Sequence, residues 1–180
     1  MIDSIWTVGH STRSIDDFLA LLAESSIEVV ADVRRFPGSR RHPHFGAESL
    51  SASLSTAGLA YEGFPQLGGR RDKRAPGSAN NAWKVEAFNA YADFMECGEF
   101  QEAIERLAGV ARDSRTAVLC AEALPWRCHR RLIADAMIVR GWVVDDIIGP
   151  GKVIPHPLTE FARVDGLRIS YPAEPLFGEG

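Results

Sequence analysis

"TAVLCAEALPWRCHRR", residues 116–131, decides how this chain is read. Its first five residues are apolar or small and lack the polar alternation of a strand with one wet face. They read as a strand buried on both sides. Further on, Cys128, Leu132, Ala136 and Val139 fall on one helical face, and Gly141 ends the pattern. Residues 118–131 collect two of the three cysteines, one of the five histidines, a tryptophan, a glutamate and three arginines. Such a turn after a buried strand fits a ligand site at a strand end.

Three other runs share the apolar, β-branched character: "SIWTVG" (4–9), "IEVVADV" (27–33) and "WVVDDII" (142–148), with a weaker "LAYEGF" at 59–64. Helical spacing lies between them. Ser14 is placed to cap a helix carrying Phe18, Leu21 and Leu22. Leu50, Leu54 and Ala57 mark a second helix, stopped by Gly58. Trp83, Phe88, Tyr91 and Phe94 or Met95 mark a third, and Phe100, Ala103, Ile104 and Leu107 a fourth. Strands alternating with helices predict an α/β fold, a mostly parallel open sheet with helices on both faces, in a single domain over 1–180. "QLGGRRDKRAPGSANN" (66–81) is long and rich in Gly, Pro and Asn. It reads as a functional lid or a disordered bulge. As a lid it would be mobile and border the site, with Arg70, Arg71, Lys73 and Arg74 suited to closing over an anion. The Pro-rich tail after 150 reads as irregular.

Composition narrows the function classes. A chain of 180 residues, 46% hydrophobic and 24% charged, supports one substantial core. Its net charge of −4 excludes a molecule that is basic throughout, so a polyanion site would have to be a local patch. Three cysteines, an odd number, argue against a disulfide framework and for a reducing compartment. The start "MIDSIWTVGHST" shows neither a signal peptide nor a transmembrane span, so a cytoplasmic, membrane-free protein is expected. The oligomeric state is not legible.

Ligands of open parallel sheets bind beyond the carboxyl ends of the strands. The residues that follow each strand are therefore the candidates. They are His10, Ser11, Thr12 and Arg13; Asp32, Arg34, Arg35, Arg40, Arg41, His42 and His44; and Cys120, Glu122, Trp126, Arg127, Cys128, His129 and Arg130. Pro125 in the first turn of the fifth helix would turn free N–H groups toward the same edge. Arginines beside it would add bidentate donors for phosphate or carboxylate. Glu122, His10 and His129 are candidates for proton transfer, and Cys120 for a nucleophile. Ser11, Arg34, Arg40, Arg41, Trp126, Cys128 and Arg130 are candidates for holding substrate. Plainer roles compete. Cys120 and Cys128 also suit a core, His129 a structural position, and Arg131 an ion pair with Asp135 four residues on.

"TVGHSTRSIDDFLALL", "VVADVRRFPGSRRHPHF" and "LCAEALPWRCHRRLIADAM", in this order, closely resemble the bacterial family called domain of unknown function 488. The later "HPLTEFAR" fits that family's tail, so the resemblance spans nearly the whole chain. It implies a compact cytosolic α/β domain with "GHS", "DVR", "CAE" and the CHR motif as characteristic positions. It implies no particular reaction, substrate or cofactor.

The leading functional expectation is an enzyme acting on an anionic small molecule or nucleotide-like substrate. A rhodanese-like sulfur or phosphoryl transfer through Cys120 is an alternative, since "VVADVR" and "VLC" resemble strands of that fold. Against it, "AEALPWR" is longer than such a cradle and has no glycine. A nucleic-acid-binding module is a third reading, through the basic clusters at 34–41 and 70–74 with Trp126 or Phe36 stacking on a base. A metal site is the remaining option, with Cys120, Cys128, His129 and His10 as a zinc set, but no metal ligand is assigned. A CxxxxxxxC followed by an adjacent His is not a recurrent ligand spacing, and neighbours on a helix such as Cys128 and His129 point about 100° apart.

Overall fold

A computed structural model describes residues 3–38, 40–71 and 74–174. Lys73, expected in the closing loop, and the tail end at 175–180 lie outside them. The elements in chain order begin β1 (Ser4–Gly9), α1 (Ile15–Glu24), β2 (Val29–Asp32), α2 (Ala47–Thr56), β3 (Ala60–Gly63), α3 (Glu86–Phe94) and α4 (Gly98–Asp113). They continue β4 (Thr116–Cys120), α5 (Arg130–Val139), β5 (Val143–Gly149), β6 (Lys152–Pro155), β7 (Arg163–Asp165) and β8 (Arg168–Ser170). Ser14 caps α1 as its position predicts, its Oγ accepting from the Asp17 N–H at 3.1 Å.

The main sheet has the order β3-β2-β4-β1-β5-β6. Its first five strands are mutually parallel and β6 is antiparallel at the edge. Alternate side chains go to opposite faces, as the strand period requires. On one face Trp6, Val8, Val30, Ala117, Leu119 and Ile147 pack with Phe18, Leu21 and Leu22 of α1 and Leu50 and Leu54 of α2. On the other, Ile5, Ala31, Val118, Cys120 and Val144 pack with residues of α3, α4 and α5, including Tyr91, Phe100, Ile104 and Leu132. This is the expected α/β architecture with both sheet faces covered.

The tail departs from the reading of 150 onward as irregular. It adds β6 to the sheet and folds β7 and β8 into a separate hairpin. Behind these, Asp135 of α5 anchors the tail, accepting from the Thr159 N–H at 3.0 Å and the Tyr171 hydroxyl at 2.9 Å. The expected Arg131–Asp135 pair is not formed. Arg131 instead donates to Thr159 Oγ1 and lies over the Trp83 ring, while Asp135 is turned into the interior. No helix among the described residues is long and apolar enough to cross a membrane.

Candidate functional site

Connectivity decides where a crevice opens. The chain leaves β4 toward α5 on one face, whereas β1 and β2, its neighbours, lead to α1 and α2 on the other. Connections that diverge on either side of β4 leave a gap at its carboxyl end. Two adjoining cavities occupy it, of about 610 and 510 Å³. Arg34, Phe36, Gly38, Ala121, Glu122 and Arg127 line both. His10, Ser11, Arg41 and His42 belong to the larger; Arg35, Gly69, Arg70, Cys120, Cys128 and His129 belong to the smaller.

Arg34 is the best-anchored cation there. Its Nε and Nη2 clasp Asp32 at 2.8 and 2.6 Å, and its Nη1 lies 3.3 Å from His10 Nε2. Burial works against the guanidinium charge, but the hydrogen bonds and charge of Asp32 outweigh it and raise the pKa. Tyr61 donates to the same carboxylate at 2.8 Å. Burial and the Asp32 charge hold that phenol protonated far above its ordinary range.

The two histidines have fixed tautomers. An arginine only donates, so His10 Nε2 accepts from Arg34, and Nδ1–H donates to the Ser11 carbonyl at 2.9 Å. The ring stacks on Phe45. Burial, then the Arg34 and His42 charges, lower its pKa against the opposing Ser11 bond and Cys120. Its neutral form therefore persists below the ordinary value of 6.5. Unfolded His10 takes a proton near that value before the folded ring does. Its contribution to stability is then complete above pH 6.5 and lost as pH falls through the folded pKa. Comparing melts of wild type and His10→Gln from pH 7 to pH 5 should show the wild type losing more stability. Parallel curves would contradict this.

His129 is oriented from the opposite side. Its Nε2–H donates to the Val33 carbonyl at 3.3 Å, so the Nδ1 lone pair faces Cys128 Sγ at 3.6 Å and Cys120 Sγ at 3.9 Å. A hydrogen bond from Cys128 draws the Cys120 pKa well below the ordinary thiol value, against its burial. Arg130 pulls in the same direction, and so does His129 once its Nδ1 has taken the thiol proton and the ring is an imidazolium. Cys128, the donor, is pushed up. All three cysteines are free thiols.

Several expected placements differ. Pro125 does not open the fifth helix. Residues Pro125–Arg127 form a separate 3-10 turn, Cys128 is extended (φ −135, ψ 146), and α5 begins at Arg130. That extended residue swings Cys128 inward beside His129, which removes the argument that the two must diverge. Arg130 faces neither cavity. It is fully buried, and its guanidinium donates to the carbonyls of Val8, Glu122 and Ala123 at 3.1, 2.6 and 2.9 Å. Its two terminal nitrogens are spent on the protein's own backbone, and its buried Nε has no partner. Arg40 and Trp126 are exposed and line neither cavity.

Of the loop cations, Arg70 borders the smaller cavity. Arg71 lies over the Phe94 ring and donates to Gln66, and Arg74 pairs with Glu86. The Asp93 carboxylate ties down Ala75, Ser78 and Asn80.

Two glycines set the close approaches. A Cβ on Gly9 would lie 1.8 Å from the Glu122 carbonyl oxygen, and one on Gly69 would lie 2.4 Å from His129 Nδ1. Gly69→Ala should push the imidazole off the thiols at a cost of about 1–3 kcal/mol. The change is measurable as a raised Cys120 pKa in pH-dependent alkylation. An unchanged alkylation profile would show that His129 does not govern the thiol.

A family model described as "Domain of unknown function DUF488" matches residues 14–137, more than half of the chain. The chain belongs to the DUF488 family. The matched region takes in the DVR, CAE and CHR stretches of the crevice and stops short of the GHS stretch at 9–11. No curated protein and no solved structure matches the chain.

Proposed function

We propose that this DUF488 protein is an enzyme that acts on a small anionic molecule, phosphate- or carboxylate-bearing, in the crevice beyond β4. The observation that carries this reading is the charge of the lining. Arg34, Arg35, Arg41, Arg70 and Arg127 surround the two cavities, and Glu122 is the one carboxylate lining them among the described residues. Asp32 neutralises Arg34, so the excess comes from the other four. A positive crevice on a protein of net charge −4 is a focused field, suited to drawing in a small anion. Phe36, 68% exposed and lining both cavities, offers a flat face to a planar group such as a nucleobase. Glu122 is the proton carrier in this reading, at the junction of both cavities. His10 holds Arg34 in place, since both its ring nitrogens are engaged.

The test is calorimetric titration with inorganic phosphate, a dicarboxylate and a nucleoside monophosphate. At least one should bind wild type, and Arg127→Gln should weaken it about tenfold or more, the value of one charge-assisted hydrogen bond. If none binds and single-stranded DNA does, with a steep salt dependence, the site is a nucleic-acid surface.

A further inference from the structure

The Cys120–Cys128–His129 cluster has a geometry that proton transfer alone does not require. The two sulfurs and Nδ1 all lie within 4.8 Å of one another, and all three residues are buried. A tetrahedral zinc ion, with bonds of about 2.3 Å to sulfur and about 2.0–2.1 Å to nitrogen, needs sulfur–nitrogen separations of about 3.6 Å. The observed separations are 3.6 and 3.9 Å. The imidazole is already in the required tautomer, because its other nitrogen donates to the Val33 carbonyl. Zinc-ligating histidines are commonly oriented by such a bond.

We propose that Cys120, Cys128 and His129 form a binding site for a zinc-class divalent ion, with two thiolates and one imidazole as ligands. Binding releases the thiol protons to solvent, and the two thiolate charges balance the ion. Thiolate and imidazole donors select zinc over magnesium or calcium, which prefer oxygen. All three residues line the 510 Å³ cavity, so the fourth coordination position opens on the space shared with Glu122 and the arginines. A three-ligand site with one open position is the form zinc takes in catalysis, and a water or substrate oxygen is its fourth ligand. Ordinary buried thiols beside a histidine would need only hydrogen-bond distances. They would not need both sulfurs on the lone-pair side of one nitrogen.

Metal uptake is independent of anion recognition, and its test does not use activity. Reduced, metal-free wild type is titrated with cobalt(II), and zinc content is measured separately on protein purified without chelator. The proposal expects one ion per chain, the intense visible absorption of a tetrahedral site and a thiolate-to-cobalt band in the near ultraviolet. Cys97→Ser, at an exposed thiol outside the cluster, should leave all three readings unchanged. Cys128→Ser should lower the thiolate band to roughly half, and the Cys120→Ser/Cys128→Ser double variant should abolish it. Because these variants alter buried core positions, the deciding measurement is on wild type. Zinc should slow alkylation of Cys120 and Cys128 and leave Cys97 untouched. A wild type that binds neither ion, or whose buried thiols alkylate equally fast with and without zinc, overturns the proposal. So does metal retained by the double variant. An Arg127→Gln protein that loses anion binding and keeps the cobalt spectrum would separate the two sites.

Discussion

Arg130→Met should lower stability by about 3 kcal/mol or more. The substitution removes three hydrogen bonds from a charged donor, each worth about 1.5–3 kcal/mol. The accepting carbonyls belong to Val8 of β1 and to Glu122 and Ala123 beyond β4, so the guanidinium ties the crevice turn to the central strand. For a chain of this size the melting temperature should fall by about 6–12 °C. Arg130→Lys should also destabilise, since one ammonium cannot span three carbonyls in the fork geometry. Anion affinity at the folded protein should stay within about twofold. A stable Arg130→Lys protein with weakened phosphate binding would reverse this assignment and return Arg130 to the ligand.

Gly9→Ala should be comparably damaging, at about 3 kcal/mol, toward the upper end of overpacking costs. The added carbon would meet the Glu122 carbonyl oxygen at 1.8 Å and the Ala123 Cα at 2.8 Å, and both are backbone atoms that no rotamer change can move. The obstructed carbonyl is the one Arg130 holds at 2.6 Å. The two substitutions therefore attack one contact, and their effects should not add. A double-mutant cycle by chemical denaturation should give a combined loss clearly below the sum. Simple additivity would mean that the glycine and the arginine act on different features.

The fold was legible where burial is two-sided. "IEVVADV" and "TAVLC" lack polar alternation because helices cover both faces, and that signal survives in one sequence. The strands β6, β7 and β8 were not legible. They are three or four residues long and mostly exposed, so pairing, not apolar pattern, holds them.

In the site, convergence on one edge was legible for His10, Ser11, Arg34, Arg41, Cys120, Glu122, Cys128 and His129, which line the cavities. Arg130 was misread because an arginine facing an anion and one facing carbonyls look alike in sequence. Its spacing of three and four residues from Ile133 and Ala134, both buried, carried the warning. The tautomer of His129 depends on Val33, 96 positions away, and no local pattern encodes it. The close approaches at Gly9 and Gly69 are equally non-local.

The central claim is that the crevice beyond β4 holds a small anion. A crystal structure of the protein soaked in phosphate tests it most directly. The account predicts tetrahedral density within hydrogen-bond reach of Arg34 and Arg127 and beside Glu122, weakened or absent in Arg127→Gln. Phosphate bound elsewhere on the surface, with the crevice filled only by water in both proteins, would contradict it.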